Sequence, residues 1–114
     1  MKKIRIKLTI ENKNNPFKYE GIAKLNKDII TFNDNNDEYI FDKAINRLTK
    51  TKKENKIILD FNKKLLNIID KSNNMSFNII VIKKNIDKKK MEFIYTIGDE
   101  NIKFNLLIEG ESNE

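Results

Sequence analysis

The sequence predicts an all-β protein, a single antiparallel barrel or sandwich, and three observations carry that expectation. Apolar residues alternate with polar ones through most of the chain, Asn- and Asp-rich clusters punctuate the alternation, and no stretch spaces strands and helices as a βαβ unit requires. Counting the alternating runs yields about eight or nine strands of ordinary length joined by short turns. The 114 residues are the length of one domain, expected to span 1–114, which can bury a core without disulfide or metal staples.

The first strand is read from Ile4, Ile6, Leu8 and Ile10, which alternate with Arg5, Lys7, Thr9 and Glu11 at the period of a strand with one wet face. After the loop 12–15, Pro16 opens a second run in which Phe17, Tyr19, Gly21, Ala23 and Leu25 share a face. Gly21 inside that run predicts a bulge or sharp bend. Asn26, Lys27 and Asp28 then turn the chain into a strand over 29–32, and the cluster Asn33, Asp34, Asn35, Asn36, Asp37 turns it into another over 38–42.

Two stretches suit a helix as well as a strand, because Ile40, Phe41, Ala44, Ile45 and Leu48, and again Phe61, Leu65, Ile68 and Ile69, lie three or four apart. The first, within 40–50, stays open; the second, within 61–70, is read as strand. Between them Ile57, Leu59 and Phe61 alternate with polar residues. Met75, Phe77, Ile79 and Val81 form a longer strand whose far end, Ile79 to Ile82, is apolar on both faces, the pattern of a strand buried twice. The final third is a hairpin: Met91, Phe93, Tyr95 and Ile97 on one arm, a turn at Gly98, Asp99, Glu100 and Asn101, and Ile102, Phe104, Leu106 and Ile108 on the return.

With no Cys and no His, the chain forms no disulfide, thiolate nucleophile, Cys/His zinc site, His-based triad or His proton shuttle. Ser72, Ser76 and Ser112 lack both a histidine and a Gly-x-Ser-x-Gly elbow. Glu20, Asp42, Asp60 and Glu109 are the candidates for an acid–base pair, but nothing in the sequence singles out a pair. Asp34, Asp37 and Glu38 offer oxygens to a hard cation without the spacing or central Gly of a calcium loop, so a plain turn is expected there and no metal or cofactor. A non-enzymatic protein is therefore the expectation.

The net charge is +6, with Lys and Arg 23 against Asp and Glu 17, which draws polyanions in general. Arg, the better bidentate reader of phosphate and guanine, occurs only at Arg5 and Arg47, and Lys, Ile and Asn make up more than half the chain. A genome rich in A and T accounts for that bias without any partner. Arg5 and Lys7 interrupt any apolar leader, and the longest apolar runs fall far short of the ~20 residues of a membrane-spanning helix, so a cytoplasmic protein with no membrane partner is expected.

The C-terminal run from Met91, Glu92, Phe93, Ile94, Tyr95, Thr96, Ile97, Gly98, Asp99 and Glu100 through Ile102, Phe104, Leu106 and Ile108 to Glu109 and Gly110 resembles the ending of the small bacterial YwiB-type proteins. The early strands, Ile4 to Ile10 and then Tyr19, Glu20 and Gly21 followed by a Lys-rich turn and Ile29 to Phe32, are similar to that family as well. The middle departs from it, since the family tends to carry an Arg followed closely by Gly where this chain reads Asp60, Phe61, Asn62, Lys63, Lys64. The resemblance implies a calycin-like, lipocalin-like β-barrel and no established activity. By analogy with that barrel shape, it also implies an interior able to hold a small apolar ligand.

The inward faces carry Phe17, Tyr19, Phe77, Phe93, Tyr95 and Phe104, and such aromatics either fill a barrel or line a cavity in it. Packing is the leading reading and a ligand cavity the alternative. If a ligand is held, Tyr19, Tyr39, Phe77, Phe93, Tyr95 and Phe104 are the candidate residues, the tyrosines supplying hydroxyls that can orient it. Lys83, Lys84, Lys88, Lys89 and Lys90 form the densest basic patch, at an expected hairpin tip, able to meet phosphates or simply to keep a strand edge from pairing. Lys50, Lys52 and Lys53 read as a similar solvated turn. The leading expectation is thus a barrel that binds a small hydrophobic or amphipathic molecule, with a basic surface docking RNA or another acidic partner as the alternative. A third possibility is pairing with another protein through an exposed strand edge. The oligomeric state is left open.

Overall fold

Eleven antiparallel strands in one continuous, nearly closed barrel-like sheet make up the protein, in a computed structural model that describes residues 1–112. In chain order they are β1 (Lys2–Glu11), β2 (Phe17–Asn26), β3 (Ile29–Asp34), β4 (Asp37–Asp42), β5 (Arg47–Thr51), β6 (Asn55–Asp60), β7 (Leu65–Asp70), β8 (Asn74–Asn78), β9 (Ile80–Ile86), β10 (Lys90–Ile97) and β11 (Glu100–Glu111). Each strand pairs with its neighbour in sequence except across β8 and β9, and β11 returns to pair with β1. No helix among the described residues is long and apolar enough to cross a membrane.

Alternation sets the inner face. Ile4, Ile6 and Leu8 of β1 are buried, as are Phe93 and Tyr95 of β10 and Ile102, Phe104, Leu106 and Ile108 of β11. The hairpin ladder runs in register from Lys90 against Leu107 to Ile97 against Glu100, as the sequence predicts. Near the end of β11 the pairing with β1 slips between Arg5 and Ile6, leaving Glu109 as the extra residue beside Gly110. Gly110 has a φ of 149°, a conformation that an L side chain adopts only under strain, so the Glu-Gly ending marks a bulge.

The strand count exceeds the expected eight or nine, for two reasons. Both stretches with helix-like spacing are strands separated by four-residue turns at 43–46 and 61–64, where Asn46 and Lys64 take positive φ. A tight turn shortens the spacing between inward residues from two to three or four, and that imitates a helix. In each turn an aspartate at the preceding strand end accepts a backbone N–H, Asp42 from Ala44 at 3.0 Å and Asp60 from Lys63 at 2.9 Å.

The second reason is Ile79. The run expected to be one strand buried on both faces changes partner there, with β8 on β7 and β9 on β10. The Ile79 N–H donates to the Lys64 carbonyl at 3.0 Å and its side chain is 3% exposed in the core. Ile80 and Ile82 face solvent instead, 66% and 60% exposed, which corrects the expectation of double burial. Beyond the corner the strand keeps one face only toward the core, with Val81 partly buried against it, and turns Ile80 and Ile82 outward.

Of the bulge or bend expected at Gly21, the bulge is absent. The β1–β2 register runs unbroken past it, so no bulge forms there. β2 instead parts from β3 beyond Lys24, their ladder covering only Lys24–Asn26 against Ile29–Thr31. A Cβ at Gly21 would lie 3.0 Å from the Tyr19 hydroxyl oxygen, so glycine leaves room for that ring to fold over the strand. There the Tyr19 hydroxyl donates to the Ile22 carbonyl at 2.7 Å, and the ring stacks on Phe32 at 4.1 Å across the gap.

Candidate functional site

The barrel has a filled end and an open end. At the filled end Phe41, Phe61, Phe93 and Phe104 pack together, Phe61 lying parallel to Phe93 at 3.9 Å and tilted against Phe104 at 5.2 Å. Phe61, the first residue of the 61–64 turn, is 3% exposed because Arg47 and Asp60, a cross-strand pair at 3.3 Å, hold the turn base against the barrel. Phe93 and Phe104, both expected as possible ligand contacts, are 0% exposed and belong to this packed cluster.

At the other end the inward positions of β1, β2, β4, β5, β6, β7, β10 and β11 enclose a cavity of about 220 Å³. Its floor is apolar, from Leu48, Leu59, Leu66, Ile97 and Ile102. Tyr39 and Tyr95 enter its wall, each 3% exposed, and neither hydroxyl is hydrogen-bonded to another described residue. Phe17 stacks on Tyr39 at 5.1 Å and Tyr39 on Phe32 at 4.8 Å, so the wall near Tyr39 is stiff.

Burial pushes the Tyr39 phenol up to about 12, with Asp37 and Asp34 adding to the effect. Burial raises Tyr95 as well, and after it the nearby Glu100 carboxylate. One oxygen of Glu100, Oε1, is itself buried without a hydrogen-bond partner. Both phenols are therefore neutral hydroxyls at physiological pH, available to donate or accept.

Among the described residues, Lys50 is the only charged one lining this cavity. Its ammonium sits over the Tyr39 ring at 5.2 Å and the Phe17 ring at 5.7 Å, and 3.9 Å from an Asp37 oxygen, an ion pair too long for a hydrogen bond. The sequence reading placed Lys50 with Lys52 and Lys53 on a solvated turn, yet its side chain is only 25% exposed. A signal for this was present: Leu48 faces inward, and alternation puts Lys50 on the same face two residues on.

The six candidate ligand residues thus divide. Tyr39 and Tyr95 line the cavity, Phe93 and Phe104 are packed at the filled end, and Tyr19 lies on a separate outer groove with its hydroxyl already bonded. Phe77, read as inward and core-like, is 40% exposed on β8, where the barrel does not close over it.

The five basic-patch lysines divide too. Lys83 pairs with Ile94 and Lys84 with Phe93, so the two point to opposite faces of β9. Lys88 and Lys89 occupy the tip, which Asp87 organises by accepting the N–H groups of Lys89 and Lys90 at 2.9 Å. Lys90 begins β10, 4.0 Å from Glu92. Among the described residues no three acidic groups gather to hold a metal ion.

No family model matches the chain, and no curated protein matches it. Among solved structures, the crystal structure of the ywiB protein from Bacillus subtilis is similar, at 10% sequence identity and a TM-score of 0.45, over 96% of this chain and 91% of that chain. It is a protein of the kind whose ending the C-terminal hairpin resembles.

Proposed function

We propose that the protein is a non-enzymatic binding module that takes one small amphipathic molecule into the open end of its barrel. The observation that carries this reading is the mismatch inside the cavity: an apolar floor beneath the unbonded hydroxyls of Tyr39 and Tyr95 and a lysine ammonium with no hydrogen-bond acceptor. These groups open onto the cavity and are accessible there, free to bond a guest, and a molecule with an apolar body and a polar head engages them while covering the floor. At roughly 30 Å³ for a water-sized group, the cavity's size corresponds to a ligand of about seven heavy atoms.

1-Hexanol has that size and shape. The chain has no Trp, so titration with this alcohol is followed by tyrosine emission and by NMR amide shifts. Saturable shifts confined to the surroundings of Tyr39, Tyr95 and Ile97 are expected, weakened roughly fivefold by Tyr95→Phe, the equivalent of about 1 kcal/mol for one hydrogen bond. Non-saturating shifts, or shifts centred on the exposed Ile80 and Ile82, would overturn the reading.

A further inference from the structure

Six of the eight large hydrophobic side chains left exposed among the described residues lie between positions 69 and 86: Ile69, Met75, Phe77, Ile80, Ile82 and Ile86. That is the seam where the sheet fails to close, and it presents two strand edges, β8 and β9, with no partner on one side. Unpaired edges template the addition of a further strand, and proteins usually blunt them with charge. β9 follows this rule with Lys83 and Lys84. β8, with the sequence Asn74, Met75, Ser76, Phe77, Asn78, breaks it: all five residues are exposed, and it is the one strand of the eleven without Lys, Arg, Asp or Glu.

We propose that β8 is a dimerisation edge, at which a second copy of this chain pairs antiparallel about a two-fold axis through Ser76. The five residues are self-complementary about that centre. Met75 of one copy falls opposite Phe77 of the other on one face, and on the other face Asn74 meets Asn78 and Ser76 meets Ser76. Met75 and Phe77 extend rows already formed by Ile68 and Leu66 of β7, so the added strand continues an existing apolar surface. The same operation on β9 centred at Lys83 would set lysine against lysine, which selects β8 over β9 as the self-pairing edge.

A pair of five-residue strands is a small interface, so the dimer dissociates at roughly micromolar to millimolar concentration. Sedimentation velocity over that concentration range tests it on the wild-type chain and on Ser76→Lys, Met75→Lys and Ile82→Lys. Ser76→Lys puts two ammonium groups face to face at the axis and is expected to weaken association at least tenfold. Met75→Lys should act in the same direction, and Ile82→Lys should leave association unchanged. Amide exchange of β8 in the wild type should slow as concentration rises, while that of β9 stays constant. A chain that remains monomeric throughout, or one whose association is lost with Ile82→Lys and kept with Ser76→Lys, overturns the proposal.

Discussion

Tyr39, Tyr95 and Tyr19 stand on three environments that one residue type cannot reveal by itself. Burial lifts the Tyr39 phenol to about 12 from an ordinary 10.0 and raises the other two in the same direction. A group whose folded-state pKa lies above its unfolded value stabilises the fold fully below the unfolded pKa, and that contribution is lost as pH rises toward the folded pKa. Stability should therefore fall between pH 10 and 12, and phenolate absorbance should appear later in the native protein than in the chain unfolded in urea. Superimposable native and unfolded titrations would contradict the burial of these hydroxyls. The sequence marks Tyr39 and Tyr95 as inward by alternation, whereas the bond that occupies Tyr19 depends on the bare backbone of Gly21.

At the scale of the strand, Ile79, Ile80 and Ile82 are one residue type within four positions and occupy opposite environments. Ile79→Ala empties the corner where the chain changes partner and should cost about 3 kcal/mol, while Ile80→Ala and Ile82→Ala should stay within about 0.5 kcal/mol. Urea unfolding midpoints of the three variants measure this; equal effects would mean that the corner lies elsewhere. Periodicity reveals β1, β10 and β11 almost to the residue, because apolar residues recur at every second position of each over eight or more positions. It fails around Ile79, where an apolar run on both faces reads as deep burial and is instead a bend with exposed flanks. It fails again at Phe41 to Leu48 and at Phe61 to Ile69, where four-residue turns imitate a helical repeat.

Over the whole molecule the barrel is asymmetric along its axis, with four phenylalanines packed at one end and the cavity at the other. Enlarging a side chain should therefore have opposite consequences at the two ends. Leu106→Phe, at a position 1% exposed, should destabilise by about 1–3 kcal/mol through overpacking. Leu66→Phe, in the cavity floor, should be neutral or stabilising by up to about 1 kcal/mol while abolishing 1-hexanol binding. Thermal unfolding of both variants, with and without the alcohol, reads the two effects together. Equal destabilisation by both would mean that the open end is as tightly filled as the other.

The sequence by itself determined the all-β class, the terminal hairpin, the inward positions of β1, β10 and β11, and the absence of cysteine and histidine chemistry, because period-2 burial and composition are local properties. Only the tertiary structure decided which inward aromatics are packed and which face a cavity, and that Phe77 remains uncovered. Those outcomes depend on which strands end up across the barrel from one another and on where the sheet stops closing. Both are set by pairings between residues far apart in the chain, such as β1 with β11, that a strand's own pattern does not encode.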